Sequence, residues 1–160
     1  MASLKTEKQI DTHANAPAAW RMAAEFSYSA AIHLFKSGDP LHLVPAAYLG
    51  HHALESLLKA ALIHGGYTIT NQRPGMSTAW GHSLVSLANQ LDESVGGCRH
   101  VQEAKSGLQI FDDYFEQARY PIDLDLGDFE PIDAEKGKLL TQLWDDLKPF
   151  APLATKGPAC

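Results

Sequence analysis

Residues 44–64 read VPAAYLGHHALESLLKAALIH, and this stretch decides the fold. Its apolar side chains recur at intervals of three and four residues, which is the period of an α-helix. A proline at position 45 suits the first turn, and Gly65-Gly66 provide a C-terminal stop. One apolar stripe contains Val44, Ala47, Leu54, Leu57, Leu58, Ala61 and Leu62, and a second group on much of the opposite side contains Leu49, Ala53, Ala60 and Ile63. We therefore expect this helix to be covered on more than one side, either centrally in a bundle or at a subunit contact.

The segments around this helix have the same period. Their apolar spacing predicts helices over about 17–37 and 82–93, and a further helix that begins near Val101 and ends where Tyr120-Pro121 prevents continuation. A last helix is predicted to start with Asp133 as its N-cap and to end before Pro149. No segment alternates over the length of a strand. The predicted fold class is all-α, an antiparallel up-and-down helical bundle of about five helices.

Length and composition indicate a single globular domain. A chain of 160 residues with 45% hydrophobic and 20% charged residues is long enough for one buried core. We predict a flexible N-terminal arm over 1–15, one bundle over 16–150 and a flexible C-terminal tail over 151–160. No apolar run reaches the length of a membrane span, and two cysteines are too few for a disulfide framework. Reduced thiols, a cytoplasmic location and no membrane partner are the expectations.

The distribution of charge excludes one class of function. The formal net charge of −6 arises from 19 acidic and 13 basic residues. Six of the acidic residues fall between positions 123 and 135, and no basic residue stands between the first and last of them. The rest of the chain is balanced, so no basic patch exists to support broad, non-specific affinity for nucleic acids.

The common catalytic and metal-binding templates do not occur. Neither a dinucleotide-binding nor a P-loop glycine pattern is present, and the zinc and di-iron helix motifs are missing. The acidic segment fails as an EF-hand, because counting from Asp123 puts Gly127 at loop position five instead of six. His51 and Glu55 have a spacing that could chelate a metal weakly, but a plain surface contact is the favoured interpretation. We predict no metal and no cofactor.

Helix spacing instead singles out a group of polar residues. Glu55 and Lys59 lie four positions apart with the acid first, and Tyr48 falls on the same side of the helix. His82 opens the third predicted helix, and Arg119 closes the fourth. A half-buried arginine needs an acid or a ligand anion, because an unpaired buried charge is costly, and Glu55 is the candidate acid. Two interpretations remain open: an ion pair that pins helices together, and a cluster that faces a ligand.

Three sequence pieces together resemble a known family. Ala53-x-Glu55-x-x-Leu58-Lys59-Ala60-x-Leu62, then Gly81-His82-Ser83-Leu84, then Ala118-Arg119-Tyr120-Pro121 are similar, in order and spacing, to a HEPN domain over about residues 18–121. The resemblance implies an up-and-down helical bundle, frequent homodimerisation, and roles around nucleotides and RNA in prokaryotic toxin–antitoxin and defence systems. The chain is also similar to the helical domains that accompany minimal nucleotidyltransferases.

The resemblance also bears on catalysis. Ribonuclease members of the family carry an arginine and a histidine separated by four to six residues, whereas the nearest case here runs from Arg73 to His82. We therefore predict a non-catalytic HEPN-like binding module that acts as a homodimer and binds a nucleotide-like ligand or a partner protein. The alternatives are a metal-independent RNase that uses His82 and Arg119, and a structural partner of a separate nucleotidyltransferase. An antitoxin is a further possible partner. The predicted ligand-binding residues are Tyr48, Glu55, Lys59, His82, Arg119 and Tyr120.

Overall fold

A computed structural model describes residues 16–67, 81–119 and 132–153, with side chains up to position 116 in the second of these ranges. It confirms the predicted fold class. The described residues form no strand, and their α-helices are α1 (Pro17–Lys36), α2 (Leu43–His64), α3 (Leu84–Ser94), α4 (Arg99–Arg119) and α5 (Lys136–Leu147). Short 3-10 turns, Pro40–His42 and Lys148–Phe150, precede α2 and follow α5.

The helix ends follow from local chemistry. Gly66 has a φ of +97°, its N–H donates to the Ile63 carbonyl, and the Tyr67 N–H donates to the Leu62 carbonyl. This is a Schellman motif, so the predicted glycine stop of α2 is confirmed. The N-cap prediction for the last helix is wrong: α5 begins at Lys136, and the Asp133 carboxylate instead accepts from the Glu135 N–H in the preceding turn.

Helix α2 is the centre of the bundle. It packs against each of the other four helices, and the side chains from Ala53 to Ile63 are buried without interruption. The central position, one of the two that the apolar circumference of α2 predicted, explains that pattern. A close approach to α4 occurs at Gly50, where an added Cβ would lie 2.8 Å from the Phe111 ring.

One charged side chain is embedded at the edge of the core. Arg21 of α1 is buried, and its guanidinium donates to the carbonyls of Ala151 (2.6 Å) and Lys148 (3.2 Å) while lying 5.3 Å from the centre of the Trp144 ring. These contacts hold the turn after α5 against α1. Because an arginine has five N–H donors, it can bind both carbonyls and the Glu25 carboxylate at one point.

Some sequence predictions concern residues outside the described ranges: the arm over 1–15, the acidic segment from 123 to 131, and the tail from 154 onwards. Cys98 is buried and disulfide-bonded, so the expectation of reduced thiols is wrong for that residue. None of the helices in the described ranges combines the length and the apolar character that crossing a membrane requires.

Candidate functional site

The centre of the site is a buried ion pair on α2. The Glu55 Oε1 atom lies 2.5 Å from the Lys59 Nζ atom, one helical turn away. Both residues are more than nine-tenths buried, with 7% and 6% of their surfaces exposed. The ammonium group also lies 5.1 Å from the centre of the Trp20 ring on α1, at cation–π distance. Because the two charges are largely removed from water, each depends on the other.

His82 completes this cluster from the segment before α3. Its Nδ1 atom lies 3.2 Å and 3.3 Å from the two oxygens of Glu55, while 59% of its side chain is exposed. A carboxylate only accepts hydrogen bonds, so Nδ1 is the donor and Nε2 is left as the nitrogen available to a ligand. Helix α3 begins at Leu84 with Ser83 as its N-cap, so His82 precedes the helix and does not open it.

Asp112 of α4 holds this segment in place. One carboxylate oxygen accepts from the Leu84 N–H at 2.8 Å, and the other accepts from the Ser83 hydroxyl and the Val85 N–H, both at 3.2 Å. The aspartate therefore caps α3 from a neighbouring helix, which satisfies orphaned N–H groups and places negative charge at the positive end of the helix. It fixes the backbone directly after His82. Sequence reasoning did not identify Asp112.

His51 links the two acids of the site. It is fully buried, its Nε2–H donates to Asp112 Oδ1 at 3.1 Å, and its Nδ1 lies 3.8 Å from Glu55 without a hydrogen bond. The Phe115 ring stacks on it, with ring centres 4.1 Å apart. The predicted surface contact between His51 and Glu55 is wrong, because α4 covers this face of α2. A signal was present in the sequence: Asp112 is an acid directly beside the apolar stripe of α4.

Electrostatics keep Glu55 ionised. Burial alone would raise the pKa of its carboxyl, but the hydrogen bond and charge of Lys59, followed by those of His82, outweigh burial and lower the pKa. The carboxylate is thus a fixed negative charge that orients two different donors. It belongs to an ion pair within α2 and is also in hydrogen-bonding distance of an exposed histidine.

A cavity of about 360 Å³ opens beside this cluster. The residues that line it are His82, Ser83, Gln109, Asp112, Asp113, Phe115 and Glu116. Three of these carry carboxylates, and the hydroxyl hydrogen of Ser83 is already donated to Asp112. The walls therefore offer mainly hydrogen-bond acceptors and negative charge.

The structure brings together some of the predicted site residues. Glu55, Lys59 and His82 are in direct contact. Tyr48 is 45% exposed and lies next to this group, with its ring centre 5.6 Å from that of Phe115. Arg119 is the last residue of α4, but its side chain is outside the described part, as is the whole of Tyr120.

Within residues 16–67, 81–119 and 132–153, no group of three or more His, Cys, Asp or Glu side chains could hold a metal ion. His51 forms its hydrogen bond with Asp112, whereas Glu55 accepts from Lys59 and His82.

The fold and the site define an all-α bundle protein whose central helix carries a buried acid–base cluster with one exposed histidine. The chain belongs to the HEPN family: the model of the HEPN domain matches residues 18–138, which is most of the chain. The match extends past the predicted limit near residue 121 and includes the first residues of α5. Comparison with curated proteins and with solved structures returned no match.

Proposed function

We propose that this chain is a non-catalytic HEPN module, homodimeric, that docks a partner protein by accepting one of the partner's basic side chains in the cavity beside His82. The observation that supports this proposal is the polarity of the cavity wall. Asp113 and Glu116 present carboxylates, and the free Nε2 of His82 is an acceptor when the ring is neutral. A wall of acceptors requires a ligand rich in donors.

An arginine or lysine side chain has this chemistry. Both groups carry only donors and a positive charge, and the planar arginine fork matches a carboxylate in a bidentate way. A nucleotide phosphate is an anion that only accepts, so the carboxylates of Asp113 and Glu116 would repel it. Of the two ligand classes that the sequence left open, the partner protein is therefore favoured over the nucleotide-like ligand. A nucleotidyltransferase or an antitoxin is the kind of partner that the family resemblance implies.

Titrations followed by NMR of the histidine side chains test this proposal. The probes are a capped Gly-Arg-Gly peptide, the same peptide with neutral citrulline, and a panel of nucleoside monophosphates. We expect the arginine peptide alone to shift the His82 ring resonances, and the double variant D113N/E116Q to weaken that effect at least tenfold. A matched control is E103Q, which removes an exposed acid from the same helix. The proposal is overturned if nucleotides shift His82 and the arginine peptide does not.

A second candidate function is metal-independent RNA cleavage, and one observation favours it. The Glu55 carboxylate accepts a hydrogen bond from His82 Nδ1, and the His82 ring is exposed. A histidine that is oriented in this way can act as a general base through Nε2. In such a reaction Nε2 would take the proton of a ribose 2′-hydroxyl as that oxygen attacks the adjacent phosphorus. The imidazolium would then return a proton to the departing 5′-oxygen, leaving a 2′,3′-cyclic phosphate. Arg119 is the candidate to stabilise the charge on the phosphorane.

Gel assays on structured and single-stranded RNA in the presence of a chelator distinguish the two candidates. The binding-module proposal expects no cleavage above that of a buffer control. Cleavage that H82A abolishes would instead establish the RNase. Cleavage that H82A leaves unchanged would reject the assignment of His82.

A further inference from the structure

A second cavity, of about 370 Å³, lies between α1 and α5. It shares no lining residue with the cavity beside His82. Ile32 and Phe35 of α1 line one side, and Gly137 and Thr141 of α5 line the other. An added Cβ at Gly137 would lie 3.0 Å from the Phe35 side chain, so the two helices pack closely at this point. We call this space the α1–α5 cavity.

The wall of the α1–α5 cavity is mainly apolar. Ile32, Phe35 and Ala134 contribute hydrocarbon side chains to it. The Thr141 hydroxyl donates to the carbonyl one turn earlier in α5 at 3.0 Å and accepts from the Tyr28 hydroxyl at 3.3 Å, so it has no hydrogen left for a ligand. Because small-molecule sites combine apolar walls with a few polar groups, the larger part of a ligand here would be apolar.

Charged side chains lie at the mouth of the α1–α5 cavity. They belong to Lys36, Glu135 and Lys138, which line the cavity and are all exposed. The Lys138 Nζ atom lies 2.8 Å from Glu135 Oε2. No side chain in the described part of the protein pairs with the ammonium group of Lys36. The mouth therefore carries an excess of one positive charge, although the whole chain has a formal charge of −6.

The start of α5 adds positive potential to this mouth, because the N-terminal end of a helix carries a partial positive charge. Its first amides are already occupied: the N–H groups of Lys136, Gly137 and Lys138 donate to carbonyls of the preceding turn at 3.0–3.2 Å. An anion at the mouth would therefore bind mainly to Lys36, because Lys138 already has a carboxylate partner.

We propose that the α1–α5 cavity binds a small carboxylic acid with an apolar tail. The tail would pack against Ile32 and Phe35, and the carboxylate would bind Lys36 at the mouth. The volume is at the lower end of the range for small-molecule sites, and at about 30 Å³ for each group of the size of a water molecule it holds roughly ten non-hydrogen atoms. This site is independent of the proposed docking function, which uses the acidic cavity beside His82.

Titrations followed by amide NMR test the proposal. The probes are octanoate, octanol and octylamine, which share an apolar tail and differ in charge. We expect octanoate to shift the amide resonances of Gly38 and Gly137, which line the cavity, and to leave unchanged that of Gly50, which packs against α4. Octanol should bind more weakly, and octylamine should not bind.

Substitutions at the mouth should change the dissociation constant of octanoate in opposite directions. K36M should raise it about threefold, because the unpaired cation is removed. E135Q should lower it about twofold, because a repelling charge is removed and Lys138 is released. The matched control is K148M, which removes an exposed lysine that pairs with Asp145 and does not line the cavity. It should leave the dissociation constant unchanged.

A134W should abolish binding by filling the α1–α5 cavity, and thermal unfolding checks that each variant remains folded. The proposal is overturned if octanol or octylamine binds as tightly as octanoate, if K36M and K148M have equal effects, or if neither lining glycine shifts at about 10 mM octanoate. Binding that A134W leaves intact would also overturn it, because the acid would then lie elsewhere. The docking function is tested separately, because D113N/E116Q alters only the other cavity and should leave octanoate binding unchanged.

Discussion

Replacing Glu55 with glutamine tests the energetic centre of the site. The substitution keeps the shape of the side chain and one acceptor oxygen, but removes the charge that faces Lys59 at 2.5 Å and His82 at 3.2 Å. Lys59 is 6% exposed, so its ammonium group would be left buried beside Trp20 without a counter-ion. An unpaired buried charge destabilises the folded state.

The magnitude follows from the burial of both partners. Removing one member of a buried pair costs roughly 3–5 kcal/mol, and the oxygen retained by glutamine favours the lower end. We expect E55Q to lower the free energy of unfolding by about 3 kcal/mol. For a chain of this length that corresponds to a fall of about 6–12 °C in the unfolding midpoint.

Urea denaturation followed by circular dichroism measures this loss. The matched control is E103Q, which removes a carboxylate that Arg99 binds at 2.6 Å with the same four-residue separation, but on an exposed surface. It should cost less than about 0.5 kcal/mol. Adding K59M to E55Q should recover about 1–2 kcal/mol, because the unpaired charge is then gone. Equal effects of E55Q and E103Q would refute the reasoning that burial makes the Glu55 pair different.

Three further predictions follow from the same contacts. The pKa of Glu55 is lowered in the folded state, so as pH falls below the ordinary value of 4.5 its carboxyl is protonated in the unfolded chain first, and the free energy of unfolding decreases. In urea titrations at a series of pH values, E55Q should show a smaller decrease than the wild type. Identical decreases would contradict the lowered pKa of Glu55. D112N should cost about 2 kcal/mol, because the carboxylate serves a helix end and a buried histidine, whereas D113N on the same helix should change stability by less than about 0.5 kcal/mol; equal losses would exclude a capping role. G50A should destabilise by about 1 kcal/mol in thermal unfolding, since overpacking against Phe111 costs more than the roughly 1 kcal/mol gained in helix propensity; a raised midpoint would show that the ring yields.

The apolar circumference of α2 predicted that it is covered on more than one side, either centrally or at a subunit contact, and the structure shows the central position. The end of α2 was predictable from Gly65-Gly66, because Gly66 takes a positive φ that other residues disfavour. The start of α5 was not. Asp133 has cap chemistry, but its carboxylate binds an N–H in the turn three residues before the helix begins, because an aspartate can accept in a turn as well as at a helix end.

The candidate site was predictable only along α2. Four-residue spacing on one helix identifies Glu55 and Lys59 as partners without any knowledge of the fold. The contact from His82 depends on how the segment before α3 crosses α2, and no local pattern encodes that distance. The same holds for His51: its i,i+4 spacing from Glu55 predicts a surface pair, whereas α4 covers this residue and binds it through Asp112.

The amino-acid sequence by itself determined the fold class, the order of the helices, the burial of α2 on more than one side and the Glu55–Lys59 pair, because these depend on periodicity and on neighbours one turn apart. Only the tertiary structure decided that Asp112 caps α3 and binds His51, 61 positions away in the chain, and that Phe115 stacks on that histidine. Contacts between helices depend on crossing angle and on which small residues permit close approach, such as Gly50 opposite Phe111. Crossing angles and close approaches result from the packing of the whole core, so the sequence of a single segment does not determine them.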